Sequence, residues 1–204
     1  MQYTEFQKRM SQFTVFSLRD AQRALPDFHR QRLSEWRKKG YIRQIIRGFY
    51  TFSSNDVDET VLFVMANTIY APSYISLEMA FSYYGLIPEG VYTITSVSSR
   101  KTEMFETDFG NFQYSHIKRN LFWGYRLEKS TSGRKFFVAE PEKALVDYLY
   151  LHPEVRSRED FRSLRINEDV FQELIHTETL RKYAKKTQKQ SVIDRLDVLL
   201  KSVQ

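Results

Sequence analysis

Apolar residues recur at helical spacing from the start of the chain. Phe6, Met10 and Phe13 fall on one face between Gln2 and Phe13 and predict a first helix. In FSLRDAQRALP, Ser17 is an N-cap, and Leu18, Ala21 and Leu25 share a face. Pro26 ends that helix, because proline lacks the N–H and its ring clashes with the preceding turn. Asp27 opens DFHRQRLSEWRKKG, where Leu33 and Trp36 point the same way and Gly40 closes the helix. The pattern then changes to strands. Tyr41 to Ile45, a turn near Arg47 and Gly48, and Phe49 to Phe52 are rich in β-branched and aromatic residues and predict a β-hairpin. Three helices followed by a hairpin give a winged helix-turn-helix over residues 1–52, in which the second helix of the pair enters the major groove and the hairpin is the wing.

SSNDVDE, residues 53–59, is short and polar and marks a boundary. Beyond it, TVLFVMANTIY is a strongly apolar helix, and Ser76 caps a second, LEMAFSYYG, that stops at Gly85. From Val91 the segments YTITSV, EMFET, NFQYSHI, LFWGYRL and KFFVA read as strands, separated by turn signals such as DFGN and STSG. An antiparallel meander is their simplest arrangement. Pro141 then begins the helix PEKALVDYLYL, and the remainder predicts three or four more helices. The fold class is therefore α+β: a winged helix-turn-helix, then a mixed domain over residues 53–204 with an antiparallel sheet and flanking helices.

Charge separates the same two parts. Residues 1–52 hold 11 Lys and Arg against 4 Asp and Glu, a net of +7, whereas residues 53–204 hold 20 against 21. The whole positive excess sits in the first quarter, and a basic module most often meets a polyanion. At about 100° per residue, Gln31, Ser34 and Lys38 point away from Leu33 and Trp36, with Arg30 and Arg37 on one flank and Arg32 and Lys39 on the other. These residues form the candidate DNA-binding face. Arg43 and Arg47, near the wing tip, are placed to reach phosphate or the minor groove. Two plainer alternatives stay open: an ordinary solvated helix face, and a hairpin that only covers the core.

The chain has no cysteine, which excludes disulfides, thiolate zinc sites and cysteine nucleophiles and suits a reducing cytoplasm. No apolar run approaches the length of a membrane span, and the N-terminus lacks the pattern of an export signal, so a cytoplasmic protein is expected. His29, His116, His152 and His176 lie far apart, the glycines form no phosphate-cradling loop, and no nucleophile elbow appears. No catalytic residue, cofactor or metal is expected. One stretch, AEPEK, could hold Mg²⁺ through Glu140 and Glu142 with Lys143 assisting, as in a nuclease. The same spacing fits a helix start, with both carboxylates in the positive field of the N-terminus and Lys143 in solvent. The aromatics of FSYYGL and LFWGY have the spacing of core residues rather than of a base-stacking platform.

Several segments, in order, resemble one family. YISLEMAFSYYGLIPE, VYTITSV, FETDFGNFQYSHIKRNLFWGY and AEPEKALVDYLYL, together with RKKGYIRQIIRGFYTF, are similar to the AbiEi-type antitoxins of type IV toxin–antitoxin (abortive infection) systems. The resemblance covers residues 14–151. It implies that the first domain binds the double-stranded DNA of its own promoter as a repressor. It also implies that the second domain counteracts a nucleotidyltransferase-like toxin, and it leaves open whether the two proteins touch. The alternative from the residues alone is a ligand-responsive transcriptional regulator without a toxin partner.

Overall fold

A computed structural model describes residues 2–130 and 133–203. The first part runs α1 (Tyr3–Met10), β1 (Phe16–Ser17), α2 (Leu18–Ala24), α3 (Gln31–Lys38), β2 (Ile42–Ile46) and β3 (Phe49–Phe52). Its three strands pair antiparallel in the order β1-β3-β2. Ser17 caps α2 reciprocally: its hydroxyl accepts from the Asp20 N–H, and the Asp20 carboxylate accepts from the Ser17 N–H at 2.8 Å. Two boundaries differ from the sequence reading. α1 stops at Met10, short of Phe13, and α3 begins at Gln31 rather than after Asp27. Between α2 and α3, Phe28 is buried and its N–H goes to the Leu25 carbonyl at 2.9 Å, so a compact corner replaces the expected first turn.

The second part begins with α4 (Glu59–Ile69), capped by the Asp58 carboxylate on the Val61 N–H at 2.8 Å. It continues through β4 (Ser73–Ile75), α5 (Leu77–Tyr83), β5 (Thr93–Ser98), β6 (Glu103–Thr107), β7 (Gly110–His116), β8 (Tyr125–Lys129) and β9 (Lys135–Ala139). The helices α6 (Pro141–Leu151), α7 (Arg158–Ser163), α8 (Glu168–Leu174), α9 (Thr177–Lys186) and α10 (Gln190–Ser202) complete it. The fold is α+β, with a sheet flanked by helices. The STSG turn signal falls partly on residues 131 and 132, outside the described residues.

The strand order is β6-β7-β5-β4-β9-β8. The pairs β6/β7, β4/β5 and β8/β9 are antiparallel, but β5/β7 and β4/β9 are parallel, so the sheet is not the expected meander. The cause is β4, a short, wholly buried strand that inserts between β5 and β9. α4 covers one face of the sheet, where Tyr114 donates to the Ala66 carbonyl at 2.8 Å and Phe63 meets Phe136. On the other face, the Thr95 hydroxyl donates to the Ser76 carbonyl at 2.7 Å and accepts from the Met79 N–H at 3.0 Å, tying α5 to β5.

Two hydrophobic clusters result, and the hairpin lies between them. Ile42 and Phe52 face Phe6, Met10, Leu33 and Trp36 of the helical module. Ile45, with Val15 and the partly buried Phe49, packs instead into the large cluster of the second part. Strand alternation explains the split: Ile42, Gln44, Tyr50 and Phe52 share one face, and Arg43, Ile45, Phe49 and Thr51 the other. The hairpin is thus covered on both sides. Among the described residues, no helix is long and apolar enough to cross a membrane.

Candidate nucleic-acid interface

α3 is fixed from below by aromatic packing. Trp36 lies 4.7 Å from the Phe6 ring, 5.5 Å from Tyr3 and 5.7 Å from Phe28, and Leu33 is buried beside it. The helix ends in a Schellman motif: the Gly40 N–H reaches the Arg37 carbonyl at 3.0 Å and the Tyr41 N–H the Trp36 carbonyl at 2.9 Å. That motif needs a left-handed residue, and Gly40 supplies it with φ of 72°.

With Leu33 and Trp36 inward, Arg30, Gln31, Ser34, Arg37, Lys38 and Lys39 are exposed, as the helical phase requires. Arg32 is half-buried and paired with Glu35 at 3.0 Å. The Arg37 guanidinium donates to the Gln44 amide oxygen, which links α3 to the hairpin. The remaining acids of the module are mostly engaged: Asp20 in its capping box, Glu5 with Arg9 at 3.1 Å. Among the described residues, Arg30, Arg37, Lys38, Lys39 and Arg47 have no carboxylate at ion-pair distance. A face of unpaired cations on a rigid helix attracts phosphate and leaves Gln31 and Ser34 free to meet base edges.

The two hairpin arginines part company. Arg47 is exposed at a turn where Gly48 adopts φ of 92°. Arg43 turns the other way, its guanidinium 4.0 Å over the ring of Phe109 in the β6–β7 turn. Arg43 thus contacts the second part of the chain, while remaining exposed in a cleft that Arg37 and Gln44 also line. Arg19 and Arg23 on α2, both exposed and four residues apart, are further cations that the polar face of that amphipathic helix signals in the sequence.

The AEPEK stretch departs from both of its sequence readings at Lys143, which is not in solvent. Its ammonium is fully buried, donating to the Asp147 carboxylate and to the Tyr74 hydroxyl at 2.9 Å. Asp147 also accepts from Tyr74 at 2.9 Å and from Ser76 at 3.0 Å. Ser76 sits at the N-terminus of α5 but makes no cap hydrogen bond, because its hydroxyl is committed to Asp147. Burial pushes the Asp147 carboxyl up and the Lys143 ammonium down, and their mutual attraction opposes both shifts. Gly124, with φ of 72°, presses against the lysine stem: a Cβ there would lie 3.0 Å from Lys143 Cγ. Glu142 accepts from the His176 N–H at 3.0 Å, and Glu140 from the Tyr183 hydroxyl at 2.6 Å. These three residues do not converge on an open site. Among the described residues, no group of three or more metal-ligating side chains gathers anywhere. The aromatic segments are structural, with Tyr74 stacked on Tyr125 at 4.7 Å and Tyr84 donating to the Ala139 carbonyl at 2.7 Å.

No protein-family model matches the chain, and no curated protein matches it. Among solved structures, it is similar to the crystal structure of the Rv2827c protein from Mycobacterium tuberculosis, with a TM-score of 0.63 and 14% identity over 98% of this chain and 77% of that one. At that identity the likeness shows the fold alone, and it extends over both parts of the chain.

Proposed function

We propose that the chain is a cytoplasmic DNA-binding antitoxin and transcriptional autorepressor of a type IV toxin–antitoxin operon, counteracting a nucleotidyltransferase-like toxin. The observation that carries the DNA-binding half is the exposed, unpaired cationic face of α3, with Arg47 at the hairpin turn. The α3 cations supply sequence-independent attraction to phosphate, while Gln31 and Ser34 read base edges. The antitoxin half rests on the ordered resemblance of residues 14–151 to the AbiEi type. This reading assigns the chain no catalytic residue, metal, cofactor or membrane.

Two readouts in one strain test it: a reporter driven by the chain's own promoter, and growth during expression of the neighbouring toxin. The full chain is expected to repress and to rescue, and Arg37→Ala/Lys38→Ala to lose repression while still rescuing. A full chain that gives no protection against a demonstrably toxic neighbour refutes the antitoxin half; loss of rescue together with repression refutes the division of labour.

A second reading, a ligand-responsive regulator without a toxin, is favoured by one feature. A cleft of about 660 Å³ lies at the junction, lined among others by Asp20, Asn55, Thr68 and Lys135. Its volume is within the range of small-molecule sites, about 300–1,000 Å³. Under that reading no toxin is neutralised and promoter binding changes with a small molecule.

A further inference from the structure

We infer that β8 is a self-complementary edge at which two copies of this chain pair antiparallel, about a two-fold axis through Leu127, into one continuous sheet. β8 ends the strand order β6-β7-β5-β4-β9-β8. The opposite edge, β6, leads into the β6–β7 turn whose Phe109 meets Arg43, whereas the strand neighbour of β8 among the described residues is β9 alone. The β8/β9 register is regular from Tyr125↔Ala139 to Lys129↔Lys135, without the bulge or proline that commonly protects an edge.

The direction of the free backbone groups follows from the ladder. The Glu140 N–H donates to the Gly124 carbonyl at 2.9 Å and the Ser130 N–H to the Arg134 carbonyl at 2.8 Å, so the even-numbered residues from 124 to 130 bond inward to β9. The N–H and C=O groups of Tyr125, Leu127 and Lys129 therefore point outward. Centred on Leu127, an antiparallel partner sets Leu127 against Leu127 and Tyr125 against Lys129 as hydrogen-bonded pairs. Three outward donors on each copy close six hydrogen bonds.

The side chains fit the same axis. Leu127 and Phe137 are cross-strand partners and unusually exposed for apolar residues, at 52% and 41%. In the pair they form an unbroken row, Phe137–Leu127–Leu127–Phe137, across the joined sheets. On the opposite face, Arg126 of one copy lies against Glu128 of the other, twice. Within one chain, Lys129 stands directly opposite Lys135, an arrangement of like charges that costs stability. The partner's Tyr125 offers Lys129 an aromatic face instead. This complementarity, with Tyr-Arg-Leu-Glu-Lys meeting its own reversed copy, commits the surface to a second copy rather than to another protein. The inference stands independently of DNA binding, although a two-fold protein would match a palindromic operator.

Light scattering after size exclusion, over a concentration series of the full chain, should show the mass rising from 24.4 kDa to twice that value. Leu127→Pro should stay monomeric yet folded, because the lost N–H is an outward one and proline is tolerated on edge strands; circular dichroism checks the fold. Arg126→Glu should abolish the dimer, and adding Glu128→Arg should restore it. Leu127→Cys gives an otherwise cysteine-free chain one thiol on the axis. The Cα separation of about 5.5 Å in a hydrogen-bonded pair lies within disulfide range, so oxidation should yield a covalent dimer. Met104→Cys, equally exposed on β6, should not cross-link. A wild type that stays monomeric throughout and a Leu127→Cys chain that cross-links no faster than Met104→Cys overturn the inference; so does a dimer that survives Leu127→Pro.

Discussion

Replacing Arg37 and Lys38 together by alanine removes two of the five cations on or flanking α3 and at the hairpin turn that, among the described residues, lack a carboxylate partner, the others being Arg30, Lys39 and Arg47. Each phosphate contact releases condensed counterion and contributes about −0.9 to the slope of log affinity against log salt. Five contacts per bound chain give a slope of about −4.5, so raising salt from about 50 to 200 mM weakens binding by about 500-fold. The double variant keeps three contacts, a slope of about −2.7 and a loss of only about 40-fold over the same range. Arg43→Ala makes the opposite forecast from the one its place in the sequence suggests. Its guanidinium lies on Phe109, so the slope should not change, and the loss should appear as about 0.5–1 kcal/mol of stability at the junction. Fluorescence anisotropy of a labelled promoter duplex, titrated with KCl, measures all three slopes. A wild-type slope shallower than about −2, or a slope that falls for Arg43→Ala as much as for the double variant, refutes the assignment of the face.

Two further outcomes concern the second part of the chain. Lys143→Met leaves Asp147 buried and without its cation, which costs about 3–5 kcal/mol, or roughly 6–20 °C in Tm for a chain of this size; calorimetry that shows no loss means the pair is not buried as described. Asp58 is held below the usual carboxylate range by the Thr60 hydroxyl, with the Val61 N–H and Arg134 adding to it. Its folded-state pKa is lower than the unfolded one, so its contribution is present above about pH 4 and is lost as pH falls through the folded value. Asp58→Asn keeps a capping oxygen but cannot titrate, so urea unfolding across acidic pH should show a shallower acid limb than the wild type; identical limbs would reject the linkage.

What was legible in the sequence is what is decided locally. The Ser17 cap, the left-handed glycines Gly40 and Gly48, the Pro141 helix start and the phase of the α3 cations each depend on neighbours within a few positions. The parallel pairings were not legible, because β4 is only three residues long and buried on both faces, so it shows no alternation. The second role of the hairpin was hidden for a related reason. Its sequence carries apolar residues on both faces, Ile42 and Phe52 on one, Ile45 and Phe49 on the other, which is the mark of a doubly covered strand. The contact of Arg43 with Phe109 was equally hidden, since Phe109 is remote in sequence and no local pattern announces it.

Lys143 is the sharpest case, since a lysine in the first turn of a helix ordinarily projects into water. What overrides that expectation is the helix around it. Every residue of α6 from Pro141 to Leu149 is buried, so α6 has no solvated side to which a charge could turn over that length. In such a helix, a cation can persist only beside an anion, and the i, i+4 spacing of Lys143 and Asp147 provides one on the same stripe. The pair alone leaves carboxylate lone pairs unsatisfied, and Tyr74 from β4 and Ser76 from the start of α5 fill them. Tyr74 comes from the short strand the sequence concealed, and Ser76 follows directly after it. The network therefore fixes the register of α6 against β4 and α5, because sliding any of the three leaves a buried charge or hydroxyl without a partner.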